Sequence, residues 1–120
     1  MPTILAIDDG QIGLTVRKKL LESAGYTVLA ASDAAQGRRL FENYAVDLVL
    51  MDYYLPEDGS QLRQHMKARR PHVPIVILSG IPELPEDMSS VDLFLSKLDD
   101  PTAILEKIAE LLGFPSRRVA

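Results

Sequence analysis

Short continuous apolar runs alternate along the chain with longer stretches that have helical spacing. Four of the runs close on a side chain able to do chemistry. Thr3-Ile4-Leu5-Ala6-Ile7 ends on Asp8-Asp9, and Asp47-Leu48-Val49-Leu50-Met51 ends on Asp52. Pro74-Ile75-Val76-Ile77-Leu78 ends on Ser79, and Asp92-Leu93-Phe94-Leu95-Ser96 ends on Lys97. Apolar runs of this length without alternation predict strands covered on both faces. Tyr26–Ala31 predicts another strand. Between the first two strands Ile12, Val16, Leu20 and Ala24 recur at four-residue steps. That spacing predicts a helix with this stripe packed inward and Arg17, Lys18 and Glu22 off it, ended by Gly25 in a left-handed conformation. Ser32 or Asp33 is placed to cap a second helix, which carries Leu40 and Phe41 inward and ends near Tyr44. Pro56-Glu57-Asp58-Gly59 reads as a turn. A third helix follows from about Ser60 to Arg69, with Leu62 and Met66 one turn apart, and Pro71 and Pro74 stop it. Pro101 opens the last helix, whose core face is Ile104, Leu105, Ile108, Leu111 and Leu112 and whose end is Gly113.

Strands alternating with helices predict an α/β fold with a parallel sheet covered on both faces, because each parallel crossover needs a helix-length connection. Right-handed crossovers then favour a doubly wound five-stranded sheet of order 2-1-3-4-5. In that order strands 1 and 3 are neighbours, so Asp8-Asp9 face Asp52. Ser79 and Lys97 end the next two strands, and all five residues converge on the rim where such sheets bind ligands.

The totals narrow the partners. A chain of 120 residues, 47% hydrophobic and 25% charged, fits one soluble domain. We set its bounds at residues 1–113, with 114–120 as a short tail. The net charge of −4 argues against direct nucleic-acid binding. The clusters Arg17-Lys18-Lys19, Arg38-Arg39, Arg69-Arg70 and Arg117-Arg118 read as solvated helix faces or ends. The absence of cysteine excludes a disulfide framework, a thiolate metal site and a Cys nucleophile. No apolar stretch reaches membrane-spanning length, and Met1-Pro2-Thr3 does not open a secretory signal, so a cytoplasmic location is expected and no membrane partner. His65 and His72 lie away from strand ends; they are read as surface residues with no phosphotransfer role.

Three carboxylates at one rim repel one another, and a hard divalent cation removes the conflict. Mg²⁺, or Mn²⁺ in its place, suits such oxygen ligands and keeps a position for a phosphate oxygen. An Asp at a strand end can also simply cap the next helix, but that reading does not account for Asp8-Asp9, Asp52, Ser79 and Lys97 together.

With those residues in order, the chain resembles the receiver domain of two-component response regulators, the CheY-like family, over nearly its whole length. The matching elements are Ile4-Leu5-Ala6-Ile7-Asp8-Asp9, Asp47-Leu48-Val49-Leu50-Met51-Asp52-Tyr53-Tyr54-Leu55-Pro56, Ile77-Leu78-Ser79-Gly80 and Phe94-Leu95-Ser96-Lys97. The resemblance implies that Asp52 is the phosphoacceptor, attacking phosphorus to give an acyl phosphate. It implies that Asp9, Asp52 and the backbone carbonyl of Tyr54 ligate Mg²⁺ directly, and that Asp8 acts through water. Lys97 would pair with phosphoryl oxygens, Ser79 would hydrogen-bond one of them, and Phe94 would be the switch aromatic. Tyr54, two positions after the acceptor, is expected to slow hydrolysis of the acyl phosphate by its bulk. The implied donor is a sensor histidine kinase or histidine phosphotransfer protein, and the output is binding of a protein target. Helix 1 and the loop leaving the fifth strand would face the donor, where Ile12 and Val16 contribute unless they pack in the core. Such a protein modifies only itself and is not otherwise an enzyme.

The chain departs from the family in three places. The turn after Asp52 is one residue short, Leu98 stands where the family has a Pro after the Lys, and the stretch from Ser79 to Lys97 is several residues short. Gly80, Pro82 and Pro85 leave that stretch space for only a turn or two around Glu86–Ser90, so the family's fourth helix is expected to be shortened or irregular. This keeps alive a degenerate receiver that binds partners without phosphorylation. A haloacid-dehalogenase-like phosphatase needs a second Asp where Gly10 stands, and a substrate cap for which the chain has no room. A flavodoxin-like mononucleotide binder needs a phosphate loop where Asp8-Asp9 would repel phosphate. With a short tail after the last helix, a stand-alone receiver is the expectation, and one domain of a larger regulator or hybrid kinase is the alternative that Phe114–Ala120 is too short to decide.

Overall fold

Alternation of buried strands and half-buried helices produces the expected order. The elements are β1 (Thr3–Ile7), α1 (Gln11–Ser23), β2 (Thr27–Ala31), α2 (Ala34–Asn43), β3 (Leu48–Asp52), α3 (Gly59–Arg69), β4 (Ile75–Ser79), β5 (Leu93–Ser96) and α4 (Pro101–Leu111). This is a computed structural model, and it describes residues 2–53, 59–80 and 90–114. Pro56-Glu57-Asp58 of the expected turn, Tyr54 with its carbonyl, all but Ser90 of the short helix expected near Glu86–Ser90 and most of the tail lie outside the described residues, while Gly59 opens α3. The β-strands form one sheet, β2-β1-β3-β4-β5, with every neighbouring pair parallel.

The central strands β3 and β4 are buried at every position, which is why they read as unbroken apolar runs. Their side chains alternate between two cores. Ile4, Ala6, Leu48, Leu50, Val76 and Leu78 point to one face, where Leu14 and Leu21 of α1 and Ile104 and Ile108 of α4 close over them. Leu5, Ile7, Val49, Met51, Ile75 and Ile77 point to the other, against Phe41 of α2 and Leu62 and Met66 of α3. At the opposite end from the rim, Asp47 and Asp92 accept from the amides of Thr3 and Ile75 (2.7 Å each), tying the starts of neighbouring strands together.

Local signals placed the helix ends. Asp33 caps α2 by accepting from the Gln36 amide at 2.7 Å, while the Gln36 side chain accepts from the Ser32 amide at 3.0 Å. Pro101 opens α4 behind the cap Asp100, and Gly25 and Gly113 take the left-handed conformation that ends α1 and α4. No cis peptide occurs among the described residues, including the bond from Lys97 to Leu98.

One expectation fails. The stripe Ile12, Val16, Leu20, Ala24 does not face the core: Ile12 is 83% exposed, Val16 62%, and Ala24 is exposed. Each four-residue step advances about 40° beyond a full turn, so three such steps spread these residues over about 120° of the helix. Leu14, Arg17 and Leu21 lie within about 60° of one another, and that face meets the sheet. An arginine thus occupies the middle of the inward stripe.

Candidate functional site

Register in a parallel sheet decides which strand ends meet. Ile7 pairs with Met51, so the residues that follow, Asp8 and Asp52, emerge side by side from adjacent strands. Asp52 pairs with Leu78 and Ser79 with Ser96, which brings Ser79 and Lys97 to the same rim. Backbone bonds extend the ladder past the strands and fix these positions. The Asp8 amide donates to Ala31 at 3.1 Å, Tyr53 to Leu78 at 3.1 Å, and Lys97 to Ser79 at 2.7 Å.

Asp8, Asp9 and Asp52 each offer a carboxylate oxygen within 4.8 Å of the others. Asp8 and Asp52 are buried and Asp9 is exposed. The Lys97 ammonium lies 3.0 Å from Asp52 Oδ1 and 3.5 Å from Asp8 Oδ2. Ser79 is fully buried at the end of β4. The three Asp, Ser79 and Lys97 therefore gather at one rim, as their strand ends imply.

Arg17 is a member of the site that the sequence pattern assigned to solvent. Its Nη1 donates to Asp8 Oδ2 at 2.5 Å, and its side chain is 13% exposed. The contact passes beside Gly13, one turn earlier, where a Cβ would lie in ordinary contact with both groups, 3.6 Å from Asp8 Oδ2 and 3.5 Å from Arg17 Nη2. The signal was present in the sequence as the spacing Leu14, Arg17, Leu21, a three- and four-residue alternation with a cation at its centre. Asp8 Oδ1 in turn accepts from the Gly10 amide at 2.9 Å. Burial pushes the Asp8 carboxyl up, but the Arg17 hydrogen bond, the Gly10 amide and the charges of Arg17 and Lys97 outweigh it. Asp8 titrates below its ordinary value.

The donor set fits a hard divalent cation. Three carboxylates whose oxygens lie within 4.8 Å of one another, in a group without sulfur or imidazole, suit Mg²⁺ or Mn²⁺ better than softer metals. Asp8, Asp9 and Asp52 are the described residues that would hold it.

Phe94 pairs with Ile77 on β5 and is partly buried on the face that carries α2 and α3. Its ring meets that of Tyr53 edge-on, with centroids 6.3 Å apart and planes at 75°. The residue after Asp52 thus touches the aromatic of the last strand. Neither histidine is at the rim. His72 is exposed, whereas His65 is half-buried, a correction to its reading as a surface residue: Nε2 lies 2.6 Å from Glu42 Oε1 on α2. Arg69 adds a 2.9 Å pair to the same carboxylate, and the Arg70 guanidinium stands 4.7 Å from the Phe41 ring centre. These basic residues stitch α3 to α2. The hydrogen bond from His65 leads the causes that hold the Glu42 carboxyl below its ordinary value.

Comparison with known proteins agrees with this arrangement. The model of the response regulator receiver domain family matches residues 4–109. The transcriptional regulatory protein GlrR of Escherichia coli is 32% identical over 114 residues, covering 91% of this chain and 26% of GlrR. The autoinducer 1 sensor kinase/phosphatase LuxN of Vibrio harveyi is 32% identical over 114 residues, covering 93% of this chain and 13% of LuxN. The chain thus spans about a quarter or less of these curated relatives. Among solved structures, a CheY-like receiver domain protein from Methanospirillum hungatei superposes with a TM-score of 0.87 at 30% identity, covering 94% of each chain. A receiver domain from Clostridium thermocellum gives 0.86 at 29% identity, over 94% of this chain and 95% of that one.

Proposed function

The chain belongs to the response regulator receiver domain family, and from that premise we propose that it is a phosphorylation-driven signalling switch. Asp52 takes a phosphoryl group from a sensor histidine kinase or a histidine phosphotransfer protein in the cytoplasm. An Asp52 carboxylate oxygen attacks phosphorus, the new O–P bond forms as the P–N bond to the donor imidazole breaks, and the electron pair leaves with that nitrogen. A bound Mg²⁺ supplies charge neutralisation for the phosphoryl oxygens. Asp9 and Asp52 would hold it together with the backbone carbonyl of Tyr54, which lies outside the described residues. Lys97 steadies the Asp52 carboxylate before transfer and pairs with a phosphoryl oxygen afterwards. The Ser79 hydroxyl hydrogen-bonds another. The phosphorylated form then changes which protein target it binds, through repacking around Ser79 and Phe94. The protein acts on itself alone and turns over no other substrate.

The observation that carries this reading is the Lys97 ammonium 3.0 Å from Asp52 Oδ1 within a cluster of three carboxylates. An ammonium beside a buried carboxylate, with two more carboxylates able to hold a divalent cation, is an arrangement suited to phosphoryl transfer. The test is intact-protein mass after incubation with acetyl phosphate and Mg²⁺. A single phosphoryl adduct, lost in Asp52→Asn and without metal, is the expected result. A folded protein that takes no adduct would replace this reading with phosphorylation-independent partner binding.

A further inference from the structure

The resting site already contains part of the charge that a metal would bring. Asp8, Asp9 and Asp52 carry three negative charges, and Arg17 and Lys97 return two, leaving one. Asp8 has no oxygen uncommitted: Oδ1 accepts from Gly10, and Oδ2 meets both Arg17 and Lys97. A divalent cation entering this site meets one net negative charge rather than two and leaves an excess of one positive charge. Phosphorylation converts Asp52 from a monoanion to a dianion, and only then do site and metal sum to zero. Arg17 also has somewhere to go, since it and Lys97 line a cavity of about 260 Å³ between α1 and α4, whose other walls include Leu20, Leu50 and Ile104.

We propose that Arg17 is a tethered counter-cation of this site, which weakens divalent-metal binding in the resting protein and makes metal and phosphoryl group bind cooperatively. The inference rests on the proposed phosphoacceptor function. Arg17 acts through the charge balance of Asp8 and is a positioning residue, not a catalytic one. Its effect is on linkage: by thermodynamic reciprocity, whatever makes Mg²⁺ favour the phosphoryl-bearing state makes the phosphoryl group favour the Mg²⁺-bound state to the same degree.

The experiment is calorimetric titration of Mg²⁺ into the wild-type chain and into Arg17→Met, Arg17→Gln and Arg17→Lys, each with and without beryllofluoride as the phosphoryl analogue. Removing one positive charge at ion-pair range from a divalent ion in a solvent-screened site should tighten Mg²⁺ binding by about tenfold. Met and Gln are expected to show that tightening in the absence of beryllofluoride, and Lys to stay near wild type. The enhancement of Mg²⁺ affinity by beryllofluoride should shrink by a similar factor in Met and Gln. Urea unfolding in metal-free buffer identifies any variant that fails to fold, and either neutral variant alone is sufficient. Unchanged or weaker Mg²⁺ binding in the folded neutral variants overturns the proposal, even if Asp52 is phosphorylated normally. If neither wild type nor neutral variants bind Mg²⁺ at all, both this inference and the phosphoacceptor reading fall.

Discussion

Replacing Asp8 by Asn sets two opposed effects against each other, and the structure gives their sizes. At an effective dielectric of about 20, Arg17 at 2.5 Å and Lys97 at 3.5 Å attract the Asp8 carboxylate by about 7 and about 5 kcal/mol. Asp9 and Asp52, no farther than 4.8 Å away, each return at least about 3.5 kcal/mol of repulsion. Taking a carboxylate out of water costs several kcal/mol more. These terms nearly cancel, so their sum alone does not decide the sign. The direction of the titration does: Asp8 lies below its ordinary 3.8, so the fold favours its ionised form. Asp8→Asn should therefore destabilise the metal-free protein at pH 7, by about 1–3 kcal/mol, the loss typical of a charged hydrogen-bond partner.

The pH dependence carries its own sign. A carboxyl whose folded pKa is depressed contributes stability that is present above its unfolded pKa and lost as pH falls through the folded one. The gap between wild type and Asp8→Asn should be full from neutral pH down to just above 3.8 and close below it. Urea denaturation at a series of pH values in chelator-treated buffer measures this directly. An Asn variant as stable as wild type, or more stable, at pH 7 would mean that repulsion among the carboxylates outweighs the two cations. The charge balance assigned to Arg17 would then be wrong as well.

Three further expectations follow from particular contacts. Lys97→Met removes the ammonium from Asp52 and should slow phosphoryl uptake from acetyl phosphate by about 100-fold, the usual cost of one charge-stabilising donor; a time course of intact mass within tenfold of wild type would remove Lys97 from the reaction. Gly37→Ala places a methyl group 2.6 Å from Ile7 Cδ1 under α2, and overpacking of about 1–3 kcal/mol against a helix-propensity gain of about 1 should leave a lower urea midpoint. An unchanged midpoint would show that Ile7 moves aside without cost. Ile108→Ala, at a fully buried position of α4, should cost about 2–5 kcal/mol, and a loss below about 1 in urea unfolding would mean that α4 is not held to the sheet as described.

The strands were legible because burial on both faces leaves no choice of residue type, so Leu48–Asp52 and Ile75–Ser79 announce themselves as runs. Helix caps were legible for a similar reason: Asp33, Pro101, Gly25 and Gly113 each satisfy a local geometric need. The rotation of α1 was not. Its sequence has apolar residues on more than one face, and which face meets the sheet depends on packing with β1 and β2, not on the helix alone. Misplacing that face turned Arg17 outward and hid its bond to Asp8. The half-burial of His65 was hidden likewise, because Glu42 lies 23 residues away and meets it only when α2 and α3 pack.

The adjacent pair Asp8-Asp9 shows where sequence stops and structure begins. The two residues are chemically identical, and nothing in the string assigns them different work. Successive side chains at a strand end point to opposite sides, so one carboxylate is carried inward and the other outward. Asp8 goes inward, where Gly10, Arg17 and Lys97 engage both its oxygens. Asp9 stays exposed at the mouth of the cluster. A metal arriving from solvent meets Asp9 without displacing a protein cation, whereas direct ligation by Asp8 Oδ2 would compete with Arg17. The proposed division of labour, with Asp9 binding metal directly and Asp8 acting through water, is the one this difference in engagement favours. It also predicts that Asp9→Asn abolishes Mg²⁺ binding in calorimetry, while Asp8→Asn, with its carboxylate already shared among protein donors, weakens it less. Equal losses in the two variants would show that Asp8 leaves Arg17 to ligate the metal itself.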